Sequence, residues 1–389
     1  MTARRYTLGL LLLLALGLTA VAAFNRVIDP FWYYRDIEIS GLNAVKPRFA
    51  RHVKPALLAR EQPEAVILGN SFAEIGFDPL DAAFTGNGRL RGYNFALAGA
   101  GWDIEQCAFE YALKHAPLKR VVLGIGAGAL PKADCAKVWQ GMSVSAVELL
   151  LSTHALDNAI RTVAEQHRAR PSHTREGRYL YTRDAPGVAS RFREYFQRPD
   201  QLRCPAQGLI APVTAPGATQ HIEPAPNLDL AGLRRVIQLA RTQGVELAFV
   251  VYPRHALSLE VEFACGDPLA RWRHIGAIAQ AVAEEAPEES KKGTVALWVF
   301  DGYDALRGER VVGRDPAYWQ DPWHFNYEIG TRIFAAIYGS EQGFGTHVLP
   351  GNVDAIYAQL LAQRERYLKS NDWFYNDLRT LAAPAPAVR

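Results

Sequence analysis

The 389-residue sequence predicts an α/β fold, a three-layer α/β/α sandwich around a five-stranded parallel sheet. Five short apolar runs are typical of strands buried on both faces, at residues 65–69, 93–97, 120–125, 246–252 and 295–300. Helical segments separate most of these runs at intervals that suit right-handed βαβ crossovers. After the third strand, residues 131–225 are too long and irregular for a simple crossover, and we interpret them as an insertion.

The N-terminal segment predicts a membrane anchor. Arg4 and Arg5 precede an apolar run from Leu8 to Phe24, and this order predicts export of the remaining chain. The run is near the short limit for a spanning helix, and the small residues at 20–22 also suit a signal-peptide cleavage site. We therefore expect a protein on the periplasmic or extracytoplasmic face of the inner membrane, N-terminally anchored, or secreted if the segment is cleaved.

The rest of the chain divides into three segments. Residues 25–60 form a membrane-proximal linker and a first helix. Residues 61–345 form the α/β domain that carries the candidate catalytic residues and the insertion, and residues 346–389 form a C-terminal helix and tail. The insertion is rich in His, Arg and Pro, and we interpret it as a lid or a substrate-contacting subdomain. Its basic side chains suit contact with an anionic polymer or an ordinary solvated surface.

Composition narrows the classes of ligand. A net charge of +3 is too small for this length to indicate a nucleic-acid partner. No CxxC spacing indicates zinc, and the glycine-rich turn at 124–128 lacks a GxGxxG or P-loop pattern, so we expect no metal and no cofactor. The cysteines permit three disulfide pairings in an oxidising compartment, although the first also suits a buried thiol: Cys107, Cys135, Cys204 and Cys265.

A serine follows the first strand at a turn. Gly69 permits a sharp bend, Asn70 follows it, and Ser71 stands where a helix begins. Open α/β folds bind ligands at the carboxyl edge of the sheet, which makes Ser71 a candidate nucleophile. Serine is also a favoured helix N-cap, so the turn by itself leaves a structural role open.

A carboxylate and an imidazole follow the last predicted strand. Asp321 and His324 are three residues apart, so one short loop can present both groups on the same face. In that arrangement the carboxylate orients the imidazole, which removes the serine proton. Trp323 and its aromatic neighbours suit exclusion of water or stacking on a sugar ring. The structural alternative makes Asp321 the N-cap of the following helix and His324 a packed surface residue.

Together these residues resemble the SGNH (GDSL-like) hydrolase superfamily, in particular its exported, membrane-anchored members linked to polysaccharide O-acetylation, such as alginate-acetylation and DltD-like proteins. The resemblance covers roughly residues 62 to 340 outside the insertion, in four short blocks. It implies an SGNH, flavodoxin-like fold with Ser71 as nucleophile, Gly99 as an oxyanion-hole donor, and the Asp321–His324 pair. The family's third block brings an Asn side chain to the same hole, whereas this chain has Gly-Ala-Gly at 126–128. Asn70, where the family has Asp, is a candidate for the missing donor.

The resemblance implies a serine-dependent acyl-ester enzyme that acts on an exported polysaccharide. It leaves O-acetyltransferase and acetylesterase open, and it implies a polysaccharide or acyl-donor substrate and a membrane acyltransferase as a partner. The alternative is a catalytically silent binding or scaffold protein of a polysaccharide export or acylation complex. Arg254 and His255 follow the fourth strand, where they suit either a pocket lining or a structural role.

Overall fold

The computed structural model describes most of the chain, namely residues 3–46, 53–140, 145–167, 172–180, 187–197, 221–287, 293–314, 316–339 and 341–383. Much of the insertion, including residues 198–220, lies outside the described residues. Cys204 belongs to that stretch, so its pairing lies outside them too.

The described residues form six strands and fifteen helices. The strands are β1 (Ala65–Leu68), β2 (Gly92–Asn94), β3 (Arg120–Ile125), β4 (Glu246–Val251), β5 (Val295–Val299) and β6 (Thr346–His347). The helices are α1 (Ala3–Ile28), α2 (Lys54–Glu61), α3 (Ser71–Gly76), α4 (Ala82–Thr85), α5 (Trp102–His115), α6 (Cys135–Gln140), α7 (Ala146–Leu151), α8 (Thr153–Glu165), α9 (Val188–Gln197), α10 (Ala231–Gln243), α11 (Ala256–Cys265), α12 (Pro268–Glu285), α13 (Tyr327–Tyr338), α14 (Val353–Ser370) and α15 (Phe374–Ala382).

The strands form one mixed sheet in the order β2-β1-β3-β4-β5-β6. The first five run parallel, and β6 pairs antiparallel with β5. The α/β class is therefore confirmed, but the prediction of a five-stranded, purely parallel sheet is wrong. The reason is that β6 has only two half-buried residues and no apolar run, so pairing with the edge of β5 defines it as a strand.

The apolar strands are buried because helices cover the sheet. All four residues of β1 are buried, and β3 and β4 are buried from their second residue onward. Helices α2, α5, α10 and α12 pack in one connected group, and α3, α4 and α13 pack in another. This core fixes the carboxyl ends of the parallel strands along one edge, and the candidate residues follow those ends.

Helix α1 is the one helix in the described part of the chain that is long and apolar enough to cross a membrane. The large apolar side chains from Leu8 to Leu18 are exposed, whereas Asn25 and Ile28 are buried. Asn25 Nδ2 donates to the backbone oxygen of Leu150 in α7 at 2.8 Å. Only the C-terminal end of α1 is therefore packed against the body, which leaves its apolar length available to lipid.

The described part of the insertion contains packed helices. Helices α7 and α8 are separated at Ser152, whose hydroxyl accepts a hydrogen bond from Ala155 N at 3.0 Å and caps α8. Helix α9 buries Phe192 and Phe196 completely in the main core. These described segments are therefore integrated with the α/β domain.

A disulfide joins Cys107 in α5 to Cys135 in α6. Of the two roles weighed for Cys107, the disulfide is therefore the one observed, and the buried thiol is wrong. The bond fastens the start of the insertion to a core helix. It suits an oxidising compartment, in line with the predicted export.

We predict that replacing Cys107 and Cys135 by alanine lowers the free energy of unfolding by about 3 kcal/mol, because the bond closes a loop between residues 28 apart. Urea unfolding of the full-length protein in detergent, without reductant, measures the change. Peptide mapping of the oxidised wild-type protein provides the control and should show the 107–135 cross-link. Equal unfolding midpoints, or a different partner for Cys107, would contradict the prediction.

Candidate active site

Three side chains form a hydrogen-bonded chain at the carboxyl edge of the sheet. His324 Nε2 lies 2.8 Å from Ser71 Oγ, and His324 Nδ1 lies 2.7 Å from Asp321 Oδ2. An ionised carboxylate beside Nδ1 favours the tautomer with its proton there, which leaves Nε2 to accept from the serine hydroxyl. The structure thus brings together the three predicted catalytic residues, two of which are 253 positions apart. Their order is that of nucleophile, base and orienting carboxylate.

The loop before α13 is folded around Asp321. Its Oδ1 accepts hydrogen bonds from the backbone N–H of Trp323 at 2.8 Å and of His324 at 2.9 Å. Burial raises the pKa of Asp321, but the hydrogen bond and charge of His324 and the backbone donors outweigh burial and leave the pKa below its ordinary value. The carboxylate therefore remains ionised while it orients the imidazole. The N-cap of α13 is Asn326, so the alternative role of Asp321 as the cap of that helix is wrong.

The turn after β1 directs Ser71 at the base. Asn70 is the N-cap of α3, and its Oδ1 accepts from Phe72 N at 3.1 Å. The structural alternative for Ser71, a helix cap, is therefore wrong, because Asn70 performs that role and the serine hydroxyl faces His324. Gly69 has a φ of +137°, a backbone conformation that L side chains rarely adopt.

Two backbone donors near Ser71 have no acceptor among the described residues. The N–H groups of Ser71 and Gly99 make no hydrogen bond to other described residues. The loop that ends in Gly99 is held against the nucleophile turn because Leu97 N donates to Gly69 O at 2.9 Å. Asn94 strengthens this attachment, since its Nδ2 donates to Ala73 O within α3 at 3.0 Å and to Phe77 O just after the helix at 3.1 Å. The two N–H groups are thus available for a ligand oxygen.

A cavity of about 280 Å³ lies beside Asn70, the residue before the nucleophile. Its walls include Glu105 from the first turn of α5 and the small residues of the loop at 126–130. Glu105 is only 4% exposed and makes no hydrogen bond or ion pair within the described part of the chain. Burial, and after it the charge of Asp103, raises the pKa of Glu105 to about 8. No sequence pattern singles out this residue, because an acid in the first turn of a helix is ordinarily exposed and ionised.

Aromatic rings surround the base. Phe72 stacks on His324 with ring centroids 4.8 Å apart. Trp323 contacts the ring of Tyr195, which the insertion contributes through α9, at 5.5 Å. Arg191 of α9 also donates to the backbone oxygen of Gln320, in the loop before α13, at 2.7 Å. The insertion therefore contributes an aromatic side chain beside the site, and Phe72 and Tyr195 are neighbours that the sequence did not single out.

Arg254 and His255 have protein partners. Arg254 lies 3.1 Å from Asp301 and also pairs with Glu262. His255 is fully buried, its Nε2 lies 2.9 Å from the backbone oxygen of Glu309, and burial lowers its pKa to about 4. Neither lines the cavity beside Asn70. The contacts of Arg254 and His255 therefore fit a structural role and not the lining of this cavity.

A second, larger cavity lies at the opposite edge of the sheet, where β1 and β2 begin. It measures about 560 Å³, and its walls include Arg35, Arg60, Arg91 and Tyr93. It contains none of the candidate catalytic residues. Within the described ranges, no group of three or more His, Cys, Asp or Glu side chains is placed to hold a metal ion. Of these two cavities, the one beside Asn70 therefore borders the turn that carries Ser71.

The chain matches no protein-family model and no curated protein. The resemblance to SGNH hydrolases therefore rests on the four short blocks of the sequence.

We predict that the free energy of unfolding falls by about 4 kcal/mol between pH 4.5 and pH 8 through Glu105 alone. The folded state holds the proton of Glu105 up to about pH 8, whereas the unfolded chain releases it near its ordinary pKa of 4.5. The contribution of Glu105 to the free energy of unfolding is therefore fully present below pH 4.5, and it is lost as the pH rises towards 8. Urea unfolding of Glu105→Gln and wild type at pH 5 and pH 8 measures the difference between them. Parallel pH profiles for the two proteins would contradict the prediction.

Proposed function

We propose that this protein is a membrane-anchored, extracytoplasmic acyl-ester enzyme of the SGNH type, with a three-layer α/β/α sandwich. In this proposal it is an O-acetyltransferase or acetylesterase that acts on an exported polysaccharide. The observation that carries the proposal is the hydrogen-bonded chain from Ser71 through His324 to Asp321. The unused N–H groups of Ser71 and Gly99 support it, because acyl transfer needs donors for a developing oxyanion.

The proposed reaction passes through an acyl-serine. Ser71 Oγ attacks the ester carbonyl while His324 Nε2 removes the hydroxyl proton, and Asp321 stabilises the imidazolium. The N–H groups of Ser71 and Gly99 hold the tetrahedral oxyanion. Its collapse breaks the bond to the alcohol, which leaves with the proton from His324. Water then attacks the acyl-serine in an esterase, or a sugar hydroxyl attacks it in a transferase, with His324 again as the base.

Two features support a polysaccharide substrate at a membrane. The rings of Trp323 and Tyr195 meet beside the base, and such rings can stack on a sugar. The exposed apolar length of α1 suits a lipid bilayer, where it can also contact a membrane acyltransferase partner. The proposal therefore places an enzyme near the point where an exported glycan emerges.

One observation favours the second candidate, a catalytically silent binding or scaffold protein. The loop at 126–128 has no side-chain donor, and loss of one oxyanion donor typically lowers the rate by roughly 10²–10³-fold. The complete chain of Ser71, His324 and Asp321 opposes it, because a binding protein has no need for an activated serine. Covalent labelling of the serine distinguishes the two functions.

We predict that a fluorophosphonate probe labels the full-length protein at Ser71 and that Ser71→Ala abolishes the labelling. The same substitution should lower the hydrolysis of p-nitrophenyl acetate by at least about 10³-fold, because the nucleophile is removed. Ser190→Ala is the matched control, since Ser190 is exposed in α9 and its hydroxyl contacts only Gly187 O among the described residues. A wild-type protein that is neither labelled nor active would support the silent scaffold.

We predict that Trp323→Ala raises the KM for an acetylated polysaccharide about tenfold, the loss expected for one aromatic stacking contact. Its kcat on p-nitrophenyl acetate should change less than about threefold, since the small ester needs no sugar platform. Trp373→Ala provides the control, because this ring packs on Phe374 in the C-terminal segment. Equal losses on both substrates would show that Trp323 shapes the catalytic loop instead of binding sugar.

A further inference from the structure

Glu105 is an unusual first-turn acid. Helix α5 begins at Trp102 after the N-cap Gly101, so Glu105 lies close to the helix N-terminus. A carboxylate at that position normally faces water and interacts with the helix dipole. Glu105 instead is 4% exposed, lines the cavity beside Asn70, and has no partner within the described residues. A buried carboxyl without a partner is unfavourable unless it is neutral or meets a ligand.

The carboxyl is a donor at neutral pH. Burial, followed by the charge of Asp103, raises the pKa of Glu105 to about 8, so the group carries its proton at pH 7. A protonated carboxyl has one O–H donor, and the structure offers that donor no acceptor among the described residues. The donor therefore lines an open cavity and is available to an oxygen atom of a ligand.

The cavity reaches the turn that carries the nucleophile. Its walls join Asn70, which precedes Ser71, to Glu105 and to Ala127. The hydroxyl of Tyr252 lies against Gly69, and burial, followed by the charge of Glu105, raises the pKa of Tyr252. Ala127 is too small to fill the space and has no side-chain donor. Glu105 is thus the acid that shares a cavity with the nucleophile turn.

We propose that Glu105 is a catalytic residue whose neutral carboxyl donates a hydrogen bond to the carbonyl oxygen of the acyl ester. This inference rests on the proposed function and adds a third donor to the N–H groups of Ser71 and Gly99. The proton stays on Glu105 throughout, so no atom is transferred. A neutral acid stabilises the oxyanion, whereas a carboxylate at the same place repels it. The site therefore requires the protonated form.

Among the described residues, few charged or titratable groups are close to Glu105. Asp103 lies on the same helix, and Tyr252 faces Glu105 from the end of β4. On the loop that forms another wall of the cavity, Ala127 O is 3.1 Å from Nδ1 of His274 in α12. Neither Asp103 nor Tyr252 supplies a positive charge that would hold Glu105 ionised. An alkaline loss of activity should therefore follow the ionisation of Glu105.

The test compares the hydrolysis of p-nitrophenyl acetate by the full-length protein between pH 5 and pH 10, with the uncatalysed rate subtracted. Wild-type kcat/KM should fall about tenfold per pH unit above pH 8. Glu105→Gln keeps a donor but cannot ionise, so it should lie within about threefold of wild type at pH 7 and lack the alkaline fall. Glu105→Leu keeps the volume without a donor and should lose about 10²-fold at pH 7. Glu110→Gln, the same change elsewhere on α5, should behave as wild type.

The outcomes separate the inference from the proposed function. If Ser71→Ala does not change turnover or labelling, the proposed function fails and the role of Glu105 fails with it. If Ser71→Ala abolishes turnover while Glu105→Gln retains the wild-type alkaline fall, only the role of Glu105 is overturned. Should Glu105→Leu not fold, the pH profile of Glu105→Gln decides the question alone.

Discussion

The phenol ring of Tyr252 occupies the space where the ends of three neighbouring strands converge. Its hydroxyl lies 2.2 Å from the position that a Cβ on Gly69 would take, and 1.8 Å from that of a Cβ on Gly124. Both positions must therefore be glycine, or the ring must move. The ring also packs on Phe72 and Phe325, which flank the nucleophile and the base. One side chain after β4 thus sets the spacing between the serine turn, the third strand and the histidine loop.

A buried cluster of charged and polar side chains fixes α3, the helix that begins at Ser71. Glu74, three residues after Ser71, lies 2.6 Å from the Nζ atom of Lys54, which also donates to Ala96 O at 2.6 Å. His173 from the insertion is 3.4 Å from the same carboxylate. Burial raises the pKa of Glu74, but Lys54 and His173 outweigh it and lower the pKa to about 2. Since an uncompensated buried charge typically costs several kcal/mol, this cluster locks α3 to the core and to the insertion.

The segment that follows α1 and the candidate site lie at opposite edges of the sheet. Arg60, at the end of α2 and just before β1, donates to the backbone oxygens of Tyr33 and Tyr34 in the segment after α1. This attachment is at the amino end of β1, whereas Ser71 follows its carboxyl end. The segment after α1 and the turn that carries Ser71 therefore attach at the two ends of the same strand.

The sequence by itself determined the five parallel strands and the residues that follow them, because strands buried on both faces need continuous apolar runs and their carboxyl ends must share an edge. Because the loops after these strands leave the same edge of the sheet, the sequence alone predicts that Ser71, Asp321 and His324 lie near one another. The same rule also selected Arg254, whose charge instead pairs with Asp301 at the end of β5. Only the tertiary structure decided which partner each of these side chains has. The end of a strand determines where a residue lies in the sheet, but it does not determine which neighbouring side chain that residue contacts. The two-residue β6 exists only through pairing, and the raised pKa of Glu105 comes mainly from burial, a property that no local sequence pattern carries.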